Sequence, residues 1–320
     1  MEDLESLVKK YFSVEDVFHT ENGYEFEIKS YDPSFLKNSF INLYSDMKST
    51  EYLPKLIKLG SKYILKVTRR IEKSPKHNIY QILLLLASLG TILLDGYYKL
   101  GSYSEFMIAY EAPILAMLLL HEAFKYIISY LKKAEYMTSY AIPGIPGIIP
   151  LMGFINTKSD ATVNRDALFD GAFYPYIAAL FGVLAFLIFG LKVNVNIQKP
   201  LTEPFLSQLF RGYFNSNNLF LEGSAVGITI LFVNFLPATN LDGGLLISSL
   251  EKSSLALDLL SIIIMSFLGY FVLALAVIFV QNIHTTEPLD SVSPLSKGRK
   301  IVYITSFIII IALFAVFGTV

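Results

Sequence analysis

Asn234-Phe235-Leu236-Pro237-Ala238-Thr239-Asn240-Leu241-Asp242-Gly243-Gly244 interrupts an apolar run that extends from about residue 222 to 250. A proline and a glycine pair inside so long a run predict two half-helices around a break rather than one continuous rod. Breaks of this kind line enclosed or hydrated sites, and this one carries a carboxylate, Asp242. An aspartate ahead of a glycine can also serve simply as a helix N-cap.

Five further apolar segments flank the break, at about 79–98, 106–130, 168–191, 255–281 and 301–319. Each is long enough for a bilayer, which takes ~20 apolar residues as a helix. The fold class expected is therefore mainly α, a polytopic bundle of about six transmembrane helices. Of the 320 residues, 53% are hydrophobic and 17% charged, so the apolar excess belongs in lipid. The formal net charge of -1 excludes a polyanionic partner such as nucleic acid. With no cysteine there is no disulfide, thiol catalysis or thiolate metal ligand, and only His19, His77, His121 and His284 remain as imidazoles.

Residues 1–75 are mixed and polar, with strand-like alternation at 24–28 and 63–68 and a helical pattern at 34–47. They predict a small soluble α/β domain ahead of a transmembrane domain at 76–320. No secretory signal is visible, and Arg69, Arg70, Lys73 and Lys76 before the first apolar run place the N-terminal domain in the cytoplasm. Lys297, Arg299 and Lys300 oppose this, because six crossings put them outside. Ala141–Pro150 is apolar but too rich in proline and glycine for a helix, and is expected either as a re-entrant loop beside the second and fourth spans or as a surface linker. The stretch 192–221, with Asn215, Asn217 and Asn218, is expected as an exposed loop.

Charged side chains inside a span cost ~2.5–3.5 kcal/mol each, so they are retained where they pair or work. The second span holds Glu111, His121, Glu122 and Lys125. His121 and Lys125 lie one helical turn apart on one face, with Glu122 beside them, in the frame of a His-Glu-x-x-His metalloprotease helix. A lone His-Glu pair is weak evidence, since such a pair also forms locally for structure alone. The Asp242 block raises it.

His121-Glu122 followed by Asn234-x-x-Pro237 and Leu241-Asp242-Gly243-Gly244 resembles the site-2 family of intramembrane zinc proteases, in its subgroup without a PDZ domain, over about residues 115–250. The resemblance implies His121 and Asp242 as zinc ligands, Glu122 as general base, and Asn234 as a contact for substrate or water. Pro237, Gly243 and Gly244 match the supporting frame, and the Pro/Gly loop falls where the family carries a membrane hairpin. Transmembrane segments of other proteins would be the substrates or clients. Lys125 departs from the pattern, because it occupies the second histidine position and an ammonium has no lone pair for zinc. Three readings follow: an atypical metalloendopeptidase with zinc, an inactive relative without metal that binds or regulates membrane proteins, with Lys125 in place of a ligand, and a transporter.

Overall fold

The computed structural model describes residues 2–29, 32–70, 76–101, 106–132, 139–156, 162–197, 201, 217–251, 254–281 and 288–318. It is mainly helical, with one four-stranded sheet near the N-terminus and one hairpin inside the apolar bundle.

The N-terminal elements are α1 (Glu2–Lys9), β1 (Val14–Thr20), β2 (Gly23–Ile28), α2 (Pro33–Met47), β3 (Tyr52–Leu59) and β4 (Lys62–Arg69). The strands form an antiparallel sheet in the order β1-β2-β4-β3. Asp32 caps α2 by accepting from the Ser34 amide. Phe26, Leu36, Phe40, Leu43, Met47, Leu56 and Leu65 make a separate apolar core that Val163 and Leu289, from far along the chain, complete.

Four helices are long and apolar enough to cross a bilayer: α3 (Lys76–Leu100), α4 (Met107–Lys132), α5 (Arg165–Gly190) and α10 (Lys297–Phe317). The interrupted run divides as expected, into α6 (Leu219–Asn234) and α7 (Asp242–Ser249). The run 255–281, expected as a single crossing, also divides, into α8 (Leu255–Phe267) and α9 (Phe271–Gln281) around a turn at Gly269. Their 13 and 11 residues give helices of about 20 and 17 Å at ~1.5 Å per residue, each short of the ~30 Å hydrocarbon thickness.

Both flanks of that pair are tied to one end of the bundle. Glu251 pairs with Arg165 at the start of α5 (2.6 Å). Beyond α9, the Leu289 amide donates to Thr162 O (2.8 Å) and that of Asp290 to Val163 O (2.9 Å). The same short segment continues the edge of the N-terminal sheet, with Leu56 N donating to Leu289 O (2.7 Å) and Ser291 N to Leu56 O (3.1 Å). Arg299, in the first turn of α10, grips Asp170 with two parallel bonds of 2.7 and 2.8 Å and reaches Asp166 at 2.9 Å. Lys37 of α2 reaches Asp166 as well (2.7 Å). The N-terminal sheet, the starts of α5 and α10, and Glu251 therefore lie together.

Pro143–Pro150 falls in a β-hairpin, β5 (Ser139–Ile145) and β6 (Ile149–Asn156), rather than an irregular loop. A bulge at Ile142/Pro143 absorbs the proline that lacks a ladder donor. The hairpin packs along α3 and touches α4 and α6. Its tip is held by Asp95, which accepts from Gly147 N (2.8 Å), and by Lys99, which donates to Ile148 O (3.2 Å). Asn215 lies outside the described residues, whereas Asn218, expected in an exposed loop, is buried and caps α6 while donating to Gly190 O and Val193 O.

Candidate functional site

α4 presents His121 and Lys125 toward the break between α6 and α7, because residues one turn apart share a face. The break comes close for a steric reason. A Cβ at Gly243 would collide with the Phe235 carbonyl and one at Gly244 with that of Ala238, so only glycine lets the chain fold back there. Pro237 lies inside this turn, and Asp258 of α8 fastens it by accepting from Thr239 N (2.6 Å) and Thr239 Oγ1 (2.9 Å).

Asp242 is not an N-cap. Leu241 holds that position without a side-chain bond, and the Asp242 carboxylate points into the bundle, fully buried. His121 Nε2 lies 2.9 Å from Asp242 Oδ2, and His121 Nδ1 lies 3.2 Å from Glu122 Oε1. The Phe154 ring of β6 stacks on the imidazole at 3.7 Å between centroids and fixes its plane. Lys125 Nζ hydrogen-bonds Asn156 Oδ1 and sits 3.5 Å from Asp242 Oδ1. Asn156 Nδ2 donates to Asp242 Oδ1 (2.9 Å) and Asn240 O (3.2 Å). The result is a continuous chain of contacts, Glu122–His121–Asp242–Asn156–Lys125, with Lys125 returning to Asp242. Of the four ionisable members, Glu122 alone retains noticeable side-chain exposure, 13%, against 2% for Lys125 and none for His121 or Asp242.

Asn234 is occupied by the protein itself: its Oδ1 accepts from Phe154 N (2.7 Å) and its Nδ2 donates to Ile230 O (2.9 Å). It thereby pins β6 to α6 and holds Phe154 against His121. Gly153 permits the approach, since any Cβ there would collide with the Asn234 carboxamide.

The structure thus brings His121, Glu122, Lys125 and Asp242 together and leaves Glu111 apart. Glu111 is buried against Gly96, near Asp95. Asp95 is bonded by Tyr110 OH (3.0 Å) and paired with Lys99 (3.2 Å) in a second polar cluster that anchors the hairpin tip. The sequence reading missed Asn156, for which an isolated asparagine after an apolar stretch offers no periodic signal. It also missed Phe154 as the plate under the imidazole.

The donor set does not fit a catalytic zinc ion, which takes three protein ligands and a water. His121 and Asp242 supply two. The third position brings three N–H donors and no lone pair, already committed to Asn156 and Asp242. Among the described residues no group of three or more His, Cys, Asp or Glu could hold a metal. His19 lies on β1 with its ring edge-on to Tyr24. The His77 side chain and His284 lie outside the described residues.

Compared with known proteins, the chain matches no family model, no curated protein and no solved structure.

Proposed function

We propose that this chain is a multi-pass membrane protein of site-2-protease type that binds membrane-embedded segments of other proteins without hydrolysing them. The observation that carries the reading is the Lys125 ammonium, seated against Asn156 and Asp242 where the second imidazole of a zinc site would stand. The motif block of the sequence supports the family, and the rest of the site remains assembled around the lysine. Asp242, His121 and Glu122 are then retained to balance that cation and to hold α4, β6 and α7 in register.

The N-terminal α/β unit is cytoplasmic in this reading. Arg69 and Arg70 lead into the first apolar helix, and Lys297, Arg299 and Lys300 start the last one at the same end of the bundle. With the pair α8–α9 returning to the side from which it entered, both basic clusters fall on one face, as the positive-inside rule requires.

Metal analysis of the purified protein tests the reading, with no stoichiometric zinc expected. Lys125→His is expected to bind zinc through His121, the introduced imidazole and Asp242, with retention on a chelating step lost at acid pH. Stoichiometric zinc in the unmodified protein, with cleavage of a membrane substrate abolished by Glu122→Gln, would establish an active metalloendopeptidase instead.

A further inference from the structure

The second polar cluster, formed where α3 ends and α4 begins, holds one carboxyl more than its contacts account for. Asp95 is fully supplied: Oδ1 accepts from Gly147 N (2.8 Å), Oδ2 from Tyr110 OH (3.0 Å), and the Lys99 ammonium stands 3.2 Å away and balances its charge. Glu111 is not supplied. It is fully buried, and neither of its carboxyl oxygens has a hydrogen-bond partner among the described residues. Its carboxyl enters a notch made by Gly96, where a Cβ would fall 2.1 Å from Glu111 Oε1, and this sets it beside Asp95, one residue along α3. The charge within its electrostatic reach is that of Asp95, which is of the same sign. The other titratable groups around the cluster are Lys99 of α3, Tyr110 of α4, Glu222 of α6, which accepts from Leu201 N (3.2 Å), and Tyr270 in the turn between α8 and α9. Neither the hairpin tip, 146–148, nor the end of α5, 183–190, carries an ionisable side chain. Lys99 is the one cation among these groups, and Asp95 holds it.

An ionised Glu111 would place a second negative charge in an apolar interior with no donor and no counter-ion, whereas a proton leaves it neutral. A metal ion there would need a shell of several oxygens, and those of Asp95 are committed. We infer that Glu111 is a proton-binding site whose occupancy fixes the tip of the β5–β6 hairpin. The cluster opens outward at Lys99, whose side chain is 13% exposed, and this is the route for the proton. With the proton bound, Asp95 and Lys99 form a balanced pair that holds Gly147 N and Ile148 O. When it leaves, two carboxylates face one ammonium, and water must reach them to screen the repulsion. The tip is the cover that gives way, because Gly147 and Ile148 are exposed and held through that pair. Thr91 fastens the strands farther in, accepting from Gly144 N (3.2 Å) and donating to Pro150 O (3.0 Å), so the tip swings about that point. This inference is independent of the function proposed above, since it requires only that the bundle lie in a membrane. It bears on the first cluster because the same hairpin carries Phe154 and Asn156 into it.

The test uses full-length protein in lipid nanodiscs. Ile148→Cys carries a nitroxide as the sole thiol label, since the chain has no cysteine of its own. Label mobility, by electron paramagnetic resonance, and carboxyl protonation, by infrared difference spectroscopy, are followed from about pH 6 to about pH 9. The label is expected to be immobile at the lower end, with the mobile fraction at least about twofold larger at the upper end. The carbonyl stretch of a protonated carboxylic acid should disappear over the same interval. Glu111→Gln keeps a neutral side chain of the same shape, so in the labelled protein it should abolish that band and hold the tip immobile throughout. Release of the tip that persists in Glu111→Gln would belong to Lys99 and would overturn the inference. Exchanging potassium for sodium at fixed pH should change neither signal, and a sodium-dependent response would overturn it in favour of a metal-ion site. Should Glu111→Gln fail to fold, the protein with Glu111 intact still decides: both signals changing together supports the proton site, and an immobile tip at every pH, or release without loss of the acid band, overturns it.

Discussion

Replacing Lys125 by methionine keeps most of the side-chain volume and removes the ammonium. Asn156 Oδ1 then loses its donor, and Asp242 loses a cation 3.5 Å away. At an effective dielectric of about 20, opposite charges at that separation attract by roughly 5 kcal/mol. Removing one partner of a buried pair costs ~3–5 kcal/mol in practice, because the other charge stays desolvated. At roughly 2–4 °C per kcal/mol for a chain of this order of size, the melting temperature should fall by about 10 °C. The cause is isolated by a double-mutant cycle with Asp242→Asn, read by thermal unfolding in nanodiscs. If the two side chains are coupled as described, Lys125→Met/Asp242→Asn should be more stable than the sum of the single losses by at least about 2 kcal/mol. Additive losses, or a Lys125→Met protein as stable as the original, would refute the idea that the ammonium neutralises Asp242.

Further outcomes follow from other contacts. The chain has no cysteine, so single cysteines introduced by Lys58→Cys, Glu251→Cys and Lys300→Cys report cleanly, and all three should react from the same face of sealed vesicles. Labelling of Glu251→Cys and Lys300→Cys from opposite faces would mean that 255–281 crosses after all. Gly153→Ala should destabilise by about 2 kcal/mol or more, because the new methyl group meets the Asn234 carboxamide at a φ of 135°. An unchanged melting temperature would separate β6 from α6. Arg299→Lys should cost roughly 2 kcal/mol by losing the two-pronged grip on Asp170, seen as faster hydrogen exchange at the start of α10. In the N-terminal unit, hydrogen bonds from Tyr11 and then Lys10 hold the Asp46 carboxyl below the ordinary carboxylate range. That contact stabilises the fold above this range and is lost as pH falls through the lowered value. An NMR titration should place the Asp46 midpoint low and Tyr11→Phe should raise it.

How much of this was legible in the sequence depends on the range of the interaction. Lengths of apolar residues gave α3, α4, α5 and α10 within a few positions, because a helix closes its own hydrogen bonds and hydropathy reads it locally. The break before Asp242 was marked by Pro237, Gly243 and Gly244. The break at 268–270 was not, since its only marker is Gly269 in a run as apolar as any single span. The joining of 289–291 to Leu56 and to 162–164 was invisible, because it unites three short segments each more than 100 residues from the next in sequence. At the site, the ionisable residues announced themselves by their cost in an apolar run. Asn156 and Asn240 did not, since their importance comes from the register that sets Asn156 opposite Ser139 in the hairpin and beside the Asn240 carbonyl.

The proton count of the buried site explains why the carboxylates and the lysine belong together. Each ring nitrogen of His121 faces a carboxylate oxygen, and each of those contacts needs a proton between its two heavy atoms. Two protons shared among one imidazole and two carboxylates leave that trio with a charge of minus one, wherever the protons reside. The Lys125 ammonium brings the site to neutrality, which an apolar interior demands far more strictly than a surface does. A divalent ion bound by neutral imidazoles with the same two carboxylates reaches neutrality as well, so a zinc site and the lysine site are electrically equivalent occupants of one frame. From this equivalence, Lys125→Met should be rescued by deleting one carboxylate charge, and Lys125→His should be most stable with zinc bound. Under the function proposed above, a frame that accepts either occupant in electrical balance is one in which the lysine can stand in for a metal without loss of the fold.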